Sequence, residues 1–126
     1  MANQSEIRNA VIESTMPGIE DHGIMTFMLN LDYGYSSQGA GGYQLDDRTP
    51  SGARIGRADG MTMIIRILET VGVSEWEQLP GKHIRVRHTD GRVQAIAHVL
   101  KDNWLDFAEF FRTFPRSMEA QKELGS

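Results

Sequence analysis

The chain has 126 residues, of which 40% are hydrophobic and 24% charged, so it has the size and composition of one globular domain and not of a disordered chain. The absence of cysteine excludes disulfide bonds, thiolate metal ligands and a cysteine nucleophile. The formal net charge of −4 makes duplex nucleic acid an unfavourable partner, because proteins that neutralise many phosphates are usually basic.

The first strong structural signal is a hairpin near the N-terminus. Hydrophobic residues at every second position have the period of a strand with one buried face: Met25, Phe27, Leu29, Leu31 and Tyr33. Residues 7–15 are also rich in β-forming side chains. Because turn signals separate the two segments at Met16-Pro17-Gly18 and Asp21-His22-Gly23, they are predicted to pair as antiparallel neighbours.

Glycine dominates the next part of the chain. Residues 34–60 contain seven of the thirteen glycines, which is typical of a loop. We predict a loop with one short strand at residues 42–45. Loops of this length in a compact domain are uncommon and tend to be functional or disordered.

A helix is predicted to start at Asp59, which can serve as its N-cap, and to end before Gly72, which suits a left-handed C-terminal position. Its hydrophobic residues follow helical spacing and predict the buried face: Met61, Ile64, Ile65, Leu68 and Val71. After it, Ser74-Glu75-Trp76-Glu77 indicates a capping box that opens a single turn.

A second hairpin is predicted around Asp90-Gly91, a strong two-residue turn signal that joins residues 83–88 to residues 92–100. Counting from this turn places two hydrophobic pairs on one face, Val86 with Ala95 and Ile84 with Ala97. The same count gives a basic second face, with the pairs Arg87 with Gln94, Arg85 with Ile96 and His83 with His98.

Aromatic residues at helical spacing predict a short helix from residue 103 to 111, followed by a polar tail at residues 116–126. The whole is thus expected to be a single α+β domain over residues 1–115, an antiparallel sheet of two hairpins with one main helix and a short aromatic C-terminal helix. The aromatic residues suggest a subunit contact and a homo-oligomer, although they could instead pack on their own chain: Trp104, Phe107, Phe110, Phe111 and Phe114.

The strongest candidate site combines Arg54 and Arg57 with the glycine-rich approach to the main helix. Glycines let backbone N–H groups approach a ligand, a helix start adds unpaired donors, and arginine binds phosphate through two hydrogen bonds. Residues 48–92 are also the basic part of the chain, with seven Arg and one Lys against five acids. Arg85, Arg87 and Arg92 could complete a pocket. The alternative is a solvated loop beside a basic strand, since no phosphate-loop motif is present and Asp59 would compete with an anion.

Aromatic residues could add a stacking surface for a nucleobase, for which Tyr43 and Trp104 are the candidates, or they could belong to the core. In a symmetric dimer, Arg112 could also reach into the partner's pocket. A metal hypothesis rests on His83 and His98, which would need a third ligand from Asp21, Asp32 or Asp102, and the spacing does not require one. We therefore predict no metal, no cofactor and no catalytic residue.

Several stretches look like those of small phage and prophage proteins: Gly18-Ile19-Glu20-Asp21-His22-Gly23-Ile24-Met25-Thr26-Phe27, Leu31-Asp32-Tyr33-Gly34, Gly39-Ala40-Gly41-Gly42-Tyr43 and residues 60–73. In size and pattern the chain resembles the first-described family of phage Thoeris anti-defence proteins, the signalling-nucleotide sponges. That resemblance implies a dimer or a ring of dimers that sequesters cyclic ADP-ribose isomers made by bacterial TIR-domain proteins, without degrading them. It also implies a possible second site for cyclic oligonucleotides. The same resemblance implies that Arg57 and Arg112 contact the ligand.

Two alternative functions are also compatible with the sequence. An anti-CRISPR type of inhibitor could use the acidic first third of the chain to imitate nucleic acid, and a metal-dependent hydrolase could use His83 and His98. No hydrophobic run approaches the roughly 18 residues that cross a bilayer, and no signal peptide is recognisable, so a cytoplasmic protein is expected, in the host cell if a phage encodes it.

Overall fold

The computed structural model of the chain describes residues 5–20 and 23–114. The predicted tail at 116–126, and Asp21 as a possible metal ligand, lie outside the described residues. Within them the strands and helices follow in this order: β1 (Ser5–Ile19), β2 (Met25–Asp32), β3 (Ser37–Gly41), β4 (Asp46–Arg48), β5 (Arg54–Gly56), α1 (Ala58–Val71), a 3₁₀ turn (Trp76–Gln78), β6 (His83–Thr89), β7 (Arg92–His98), β8 (Leu105–Asp106) and α2 (Phe107–Thr113). None of the helices in this part of the chain has the length and hydrophobicity needed to span a membrane.

Six strands form one antiparallel sheet in the order β3-β2-β1-β6-β7-β8, and β4 pairs with β5 in a second small sheet. The predicted α+β class and both predicted hairpins are confirmed. The pairing of β1 with β6 joins the hairpins, with Ala10 opposite Ile84. The alternating hydrophobic residues of β2 are buried as predicted, and they form a common core with residues of α1 and β6 on one face of the sheet: Phe27, Leu29, Leu31, Met63, Ile67, Ile84 and Val86.

Helix α1 ends as predicted, because Gly72 adopts the left-handed conformation and donates its N–H to the Leu68 carbonyl at 2.8 Å. Its start and its buried face differ from the prediction. Arg57 occupies the N-cap position, and Asp59 lies buried in the first turn. The predicted buried residues Met61 and Ile65 are 64% and 43% exposed. The residues that pack towards the sheet are instead Asp59, Gly60, Met63, Ile67, Thr70 and Val71.

The β6–β7 hairpin has the predicted turn, with positive φ angles of 51° at Asp90 and 81° at Gly91, but the predicted register is wrong. A β-bulge lies between Arg87 and His88, and it moves each later residue of β7 by one position. The observed pairs are Val86 with Ile96, Ile84 with His98, Arg87 with Ala95 and Arg85 with Ala97. The bulge therefore places the larger Ile96 opposite Val86 on the core face, which buries more apolar surface than Ala95 would.

The glycine-rich segment contains more strand than predicted, and the strand expected at residues 42–45 is absent. Gly41 and Gly42 have φ angles of 129° and 84°, which interrupt the strand geometry after β3. The segment nevertheless continues beside β2, because Leu45 donates its N–H to the Met25 carbonyl at 2.8 Å. The glycines therefore allow the segment after β3 to turn and continue along β2, and this segment is not a free loop.

Helix α2 is shorter than predicted and begins at Phe107, after Asp106, whose side chain accepts a hydrogen bond from the Glu109 N–H at 3.0 Å. The residues before it form β8 and not a helical turn. Phe107 is fully buried, and Phe110 and Phe111 pack against the same core. These aromatic side chains thus pack on their own chain, which was the alternative to a subunit contact.

Candidate ligand-binding site

The predicted ligand arginines do not converge on one cavity. Arg85 and Arg87 alternate with the buried Ile84 and Val86, so they project from the sheet face opposite the core. The remaining predicted arginines lie on the other side of the sheet or at the surface: Arg54 in β5, Arg57 at the start of α1, and Arg112 in the exposed part of α2. The expectation of a single arginine-lined pocket is therefore wrong.

Arg57 is already neutralised by a buried carboxylate. Its Nε and Nη2 atoms donate to the two carboxylate oxygens of Asp59 at 2.9 and 2.7 Å, and the side chains of Arg57 and Asp59 are 11% and 0% exposed. The hydrogen bond to Asp59 raises the pKa of Arg57, against the opposing effect of burial. An anion could reach this guanidinium only by competing with Asp59.

Arg54 has a similar structural role. Its guanidinium pairs with the buried carboxylate of Asp46, which also accepts a hydrogen bond from the Met25 N–H at 3.1 Å. Asp46 therefore joins β4 to both β5 and the start of β2. Burial by itself would raise the pKa of Asp46, but the hydrogen bonds from Arg54 and Met25 outweigh it and lower that pKa.

This arrangement predicts acid sensitivity. Because the folded pKa of Asp46 lies below its ordinary value of about 3.9, its contribution to stability is present above about pH 4 and is lost as the pH falls through the folded pKa. We expect Asp46→Asn to have a lower free energy of unfolding than the wild type near neutral pH. Towards pH 3 its free energy of unfolding should fall less steeply than that of the wild type. Urea unfolding across this pH range measures the effect, and an unchanged acid slope in the variant would contradict it.

Arg85 and Arg87 surround Trp104 on the outer face. Each guanidinium carbon lies 5.1 Å from the centre of the indole ring, in the range of a cation–π interaction. Arg85 also donates to Asp102 at 2.8 Å, and Arg87 contacts Asp106 at 3.5 Å. Trp104 thus holds two cations and is not a free surface for stacking a base.

A different cavity combines features that suit an anionic ligand. It has a volume of about 290 Å³ and lies between the edge strand β3 and the start of β7. These strands are far apart in the sheet order but come close because the sheet is strongly curved, and the Gln38 side chain donates to the Gly91 carbonyl at 2.7 Å across the gap. Its lining is mostly glycine and backbone on one side and an arginine on the other: Gln38, Gly39, Ala40, Gly41, Gly42, Tyr43, Arg92 and Val93.

Arg92 is the cation of this cavity. It is exposed, and within residues 5–20 and 23–114 its guanidinium has no ion pair. The sequence raised Arg92 only as an addition to the pocket of Arg54 and Arg57. No local pattern could have ranked it higher, since its neighbours in the cavity lie some fifty positions earlier and are brought to it by the curvature of the sheet.

Besides Arg92, Tyr43 is the predicted site residue that lines this cavity. Its ring packs against three phenylalanines, with ring centres 5.4 to 6.4 Å away: Phe27, Phe107 and Phe111. Burial, and then the negative charge of Asp106, raises its pKa, while Arg92 opposes the shift. Tyr43 therefore stays protonated at neutral pH, and it can offer a ligand its hydroxyl edge but not the open ring face that stacking needs.

The geometry also bears on the metal hypothesis. Because of the bulge, His98 lies opposite Ile84, whereas His83 pairs with Val11 of β1 and belongs to the other face. The predicted His83–His98 pair is therefore wrong. In the part of the chain that the structure describes, no three His, Asp or Glu side chains are grouped so that they could hold a metal ion.

No protein-family model, no curated protein and no solved structure matches this chain. A function for the cavity must therefore be argued from its own residues. They are a guanidinium that forms no ion pair within the described part of the chain, a protonated phenol and a wall of glycine backbone. The guanidinium and the phenol donate hydrogen bonds, which suits a ligand that is rich in acceptors and negatively charged.

Proposed function

We propose that the protein binds a small phosphate-bearing nucleotide and holds it without cleaving it, with the cavity between β3 and β7 as the binding site. The observation that carries the proposal is the guanidinium of Arg92, which forms no ion pair with any residue that the structure describes, beside a glycine wall. A phosphate could take two hydrogen bonds from Arg92.

Energetics favour Arg92 over the arginines predicted from the sequence. A ligand at Arg57 or Arg54 would have to displace a buried carboxylate, and removing one partner of a buried ion pair costs about 3–5 kcal/mol. A ligand at Arg92 would break no ion pair with residues 5–20 or 23–114. The hydrogen bonds formed there would therefore add directly to the binding free energy.

Size favours a small molecule over a polymer. Binding cavities for small molecules usually have volumes of about 300–1,000 Å³, and this one, at about 290 Å³, is at the lower end. Nanomolar retention needs about −12 kcal/mol, which charge-assisted hydrogen bonds and burial of the base or sugar together could supply.

The biological role that fits such a binder, given the resemblance of the sequence, is a phage anti-defence sponge. It would act in the host cytoplasm as a homo-oligomer and remove a cyclic ADP-ribose isomer before the signal reaches its effector. Retention without chemistry is sufficient for this role, so the proposal assigns no catalytic residue.

The test is to incubate the purified protein with the product of a TIR-domain enzyme, remove free signal by filtration, and heat the protein. We expect the intact signal to be released on denaturation. Arg92→Gln should weaken retention at least about tenfold, since a hydrogen-bonded charge is worth roughly 1.5–3 kcal/mol. Lys101→Gln, which removes a positive charge at an exposed position outside the cavity, should bind like the wild type.

The other outcomes are informative. An altered product would indicate a hydrolase, and signal that stays free throughout would favour a protein-binding inhibitor. Retention that is lost in Arg112→Gln but kept in Arg92→Gln would move the site to α2, as the resemblance implies. Native mass spectrometry of each variant would report the bound ligand and the number of subunits together.

A further inference from the structure

The two walls of the cavity belong to strands that no backbone ladder joins within residues 5–20 and 23–114. The glycine wall continues from β3, an edge strand whose neighbour in the sheet is β2, whereas Arg92 begins β7. Hydrogen bonds between neighbouring strands normally fix the distance between them. The distance between these two walls must therefore be fixed by other contacts.

A side-chain bridge spans the gap between the walls, and we call it the Gln38 bridge: Tyr33, Gln38 and Gly91. The Nε2 atom of Gln38 donates to the Gly91 carbonyl at 2.7 Å, and the Tyr33 hydroxyl donates to the Oε1 atom of Gln38 at 2.9 Å. Because a carbonyl can only accept, Gln38 must turn its NH₂ group towards Gly91 and its oxygen towards Tyr33. The amide thus has the one orientation that satisfies both partners.

Tyr33 is itself held by its surroundings. Its ring makes a T-shaped contact with the ring of His88 and stacks with that of Tyr35, and the guanidinium carbon of Arg8 lies 5.6 Å from its centre. Arg8 lies in β1 and His88 in β6, which are the two central strands of the six-stranded sheet. The Gln38 bridge therefore starts from a side chain that is fixed to the middle of the sheet.

We infer that Gln38 is a positioning residue, whose bridge fixes the separation of the glycine wall from Arg92 and so prepares the cavity for a ligand. The carbonyl that Gln38 contacts belongs to the peptide unit between Gly91 and Arg92, so this hydrogen bond orients the backbone from which Arg92 projects. A site whose walls are already in place loses less conformational freedom on binding. The part of the inference that concerns a ligand rests on the proposed function.

The first test needs no ligand. Gln38→Met keeps the length of the side chain but removes both hydrogen bonds of the amide. We expect the N–H groups of β3 to exchange with deuterium about fivefold faster, as the loss of one hydrogen bond implies, and those of β1 and β6 to be unchanged.

The matched control for this test is Gln94→Met. Gln94 also accepts from a hydroxyl, that of Thr89 at 2.8 Å, and donates to Asp106 at 3.1 Å, but it lies outside the cavity lining. The control should leave exchange in β3 unchanged. Unchanged exchange in Gln38→Met, or an equal rise in the control, would overturn the inference.

The second test measures how long the product of the TIR-domain enzyme is retained. It should dissociate about fivefold faster from Gln38→Met, with little change in the association rate, because the walls separate more easily around the bound molecule. Tyr33→Phe leaves the hydrogen bond to Gly91 but removes the hydroxyl that orients the amide, so its dissociation rate should be intermediate.

The two tests separate the inference from the proposed function. Equal retention by the wild type and Gln38→Met would overturn the inference and leave the proposed function standing. If the wild type retained nothing while exchange in β3 rose as expected, the proposed function alone would fail, since the Gln38 bridge would still fix the two walls.

Discussion

Replacing Arg57 by methionine is expected to lower the free energy of unfolding by about 3–5 kcal/mol, because it leaves the carboxylate of Asp59 buried and unpaired. Methionine keeps much of the apolar stem, so the loss reports the charge and not the packing. Urea unfolding with the linear extrapolation measures it. The double variant Arg57→Met, Asp59→Asn should recover part of the loss, since asparagine brings no charge into the buried position.

The control for this prediction is Arg66→Met, which removes an exposed ion pair on the same helix. Exposed pairs of this kind contribute about 0.3–0.5 kcal/mol, so this variant should unfold almost like the wild type. If Arg57→Met were as stable as the wild type but lost retention of the signal, Arg57 would be a ligand residue, as the resemblance implies, and its structural role would be refuted.

Gly60→Ala is expected to lower the free energy of unfolding by about 2–3 kcal/mol through overpacking. Intrinsic helix propensity alone gives the opposite sign, since alanine is about 1 kcal/mol better than glycine in a helix. The reason for the loss is the close approach of Leu45. A Cβ at position 60 would lie 3.0 Å from the Leu45 Cα and still closer to its carbonyl oxygen.

Leu45 cannot easily move away from this contact. Its carbonyl accepts the Arg57 N–H at 3.1 Å, and its own N–H donates to Met25 at 2.8 Å. The matched control is Gly56→Ala, because no atom lies within 4 Å of a Cβ built at Gly56. The control should change stability by less than about 0.5 kcal/mol. Thermal and urea unfolding of both variants compare them, and equal stabilities would contradict the role assigned to Leu45.

The sequence alone was sufficient for the features that depend on nearby residues. The alternation through β2, the Asp90-Gly91 turn and the left-handed Gly72 each follow from the conformations that a few adjacent residues prefer. The α+β class with two hairpins and two helices could be predicted for the same reason. Local preference also predicted a helix that starts at Asp59 and ends before Gly72, although it could not say which of its faces would meet the sheet.

The tertiary structure decided everything that depends on contacts between distant residues. The bulge in the second hairpin follows from burying Ile96, and the buried face of α1 follows from the fit of Gly60 against Leu45. Arg54 and Arg57 are paired because folding buries two carboxylates that each need a cation, while Arg92 is left beside the cavity. A guanidinium has the same chemistry in each place. Whether it stabilises the fold or is available to a ligand depends on which carboxylates the fold brings within reach of it.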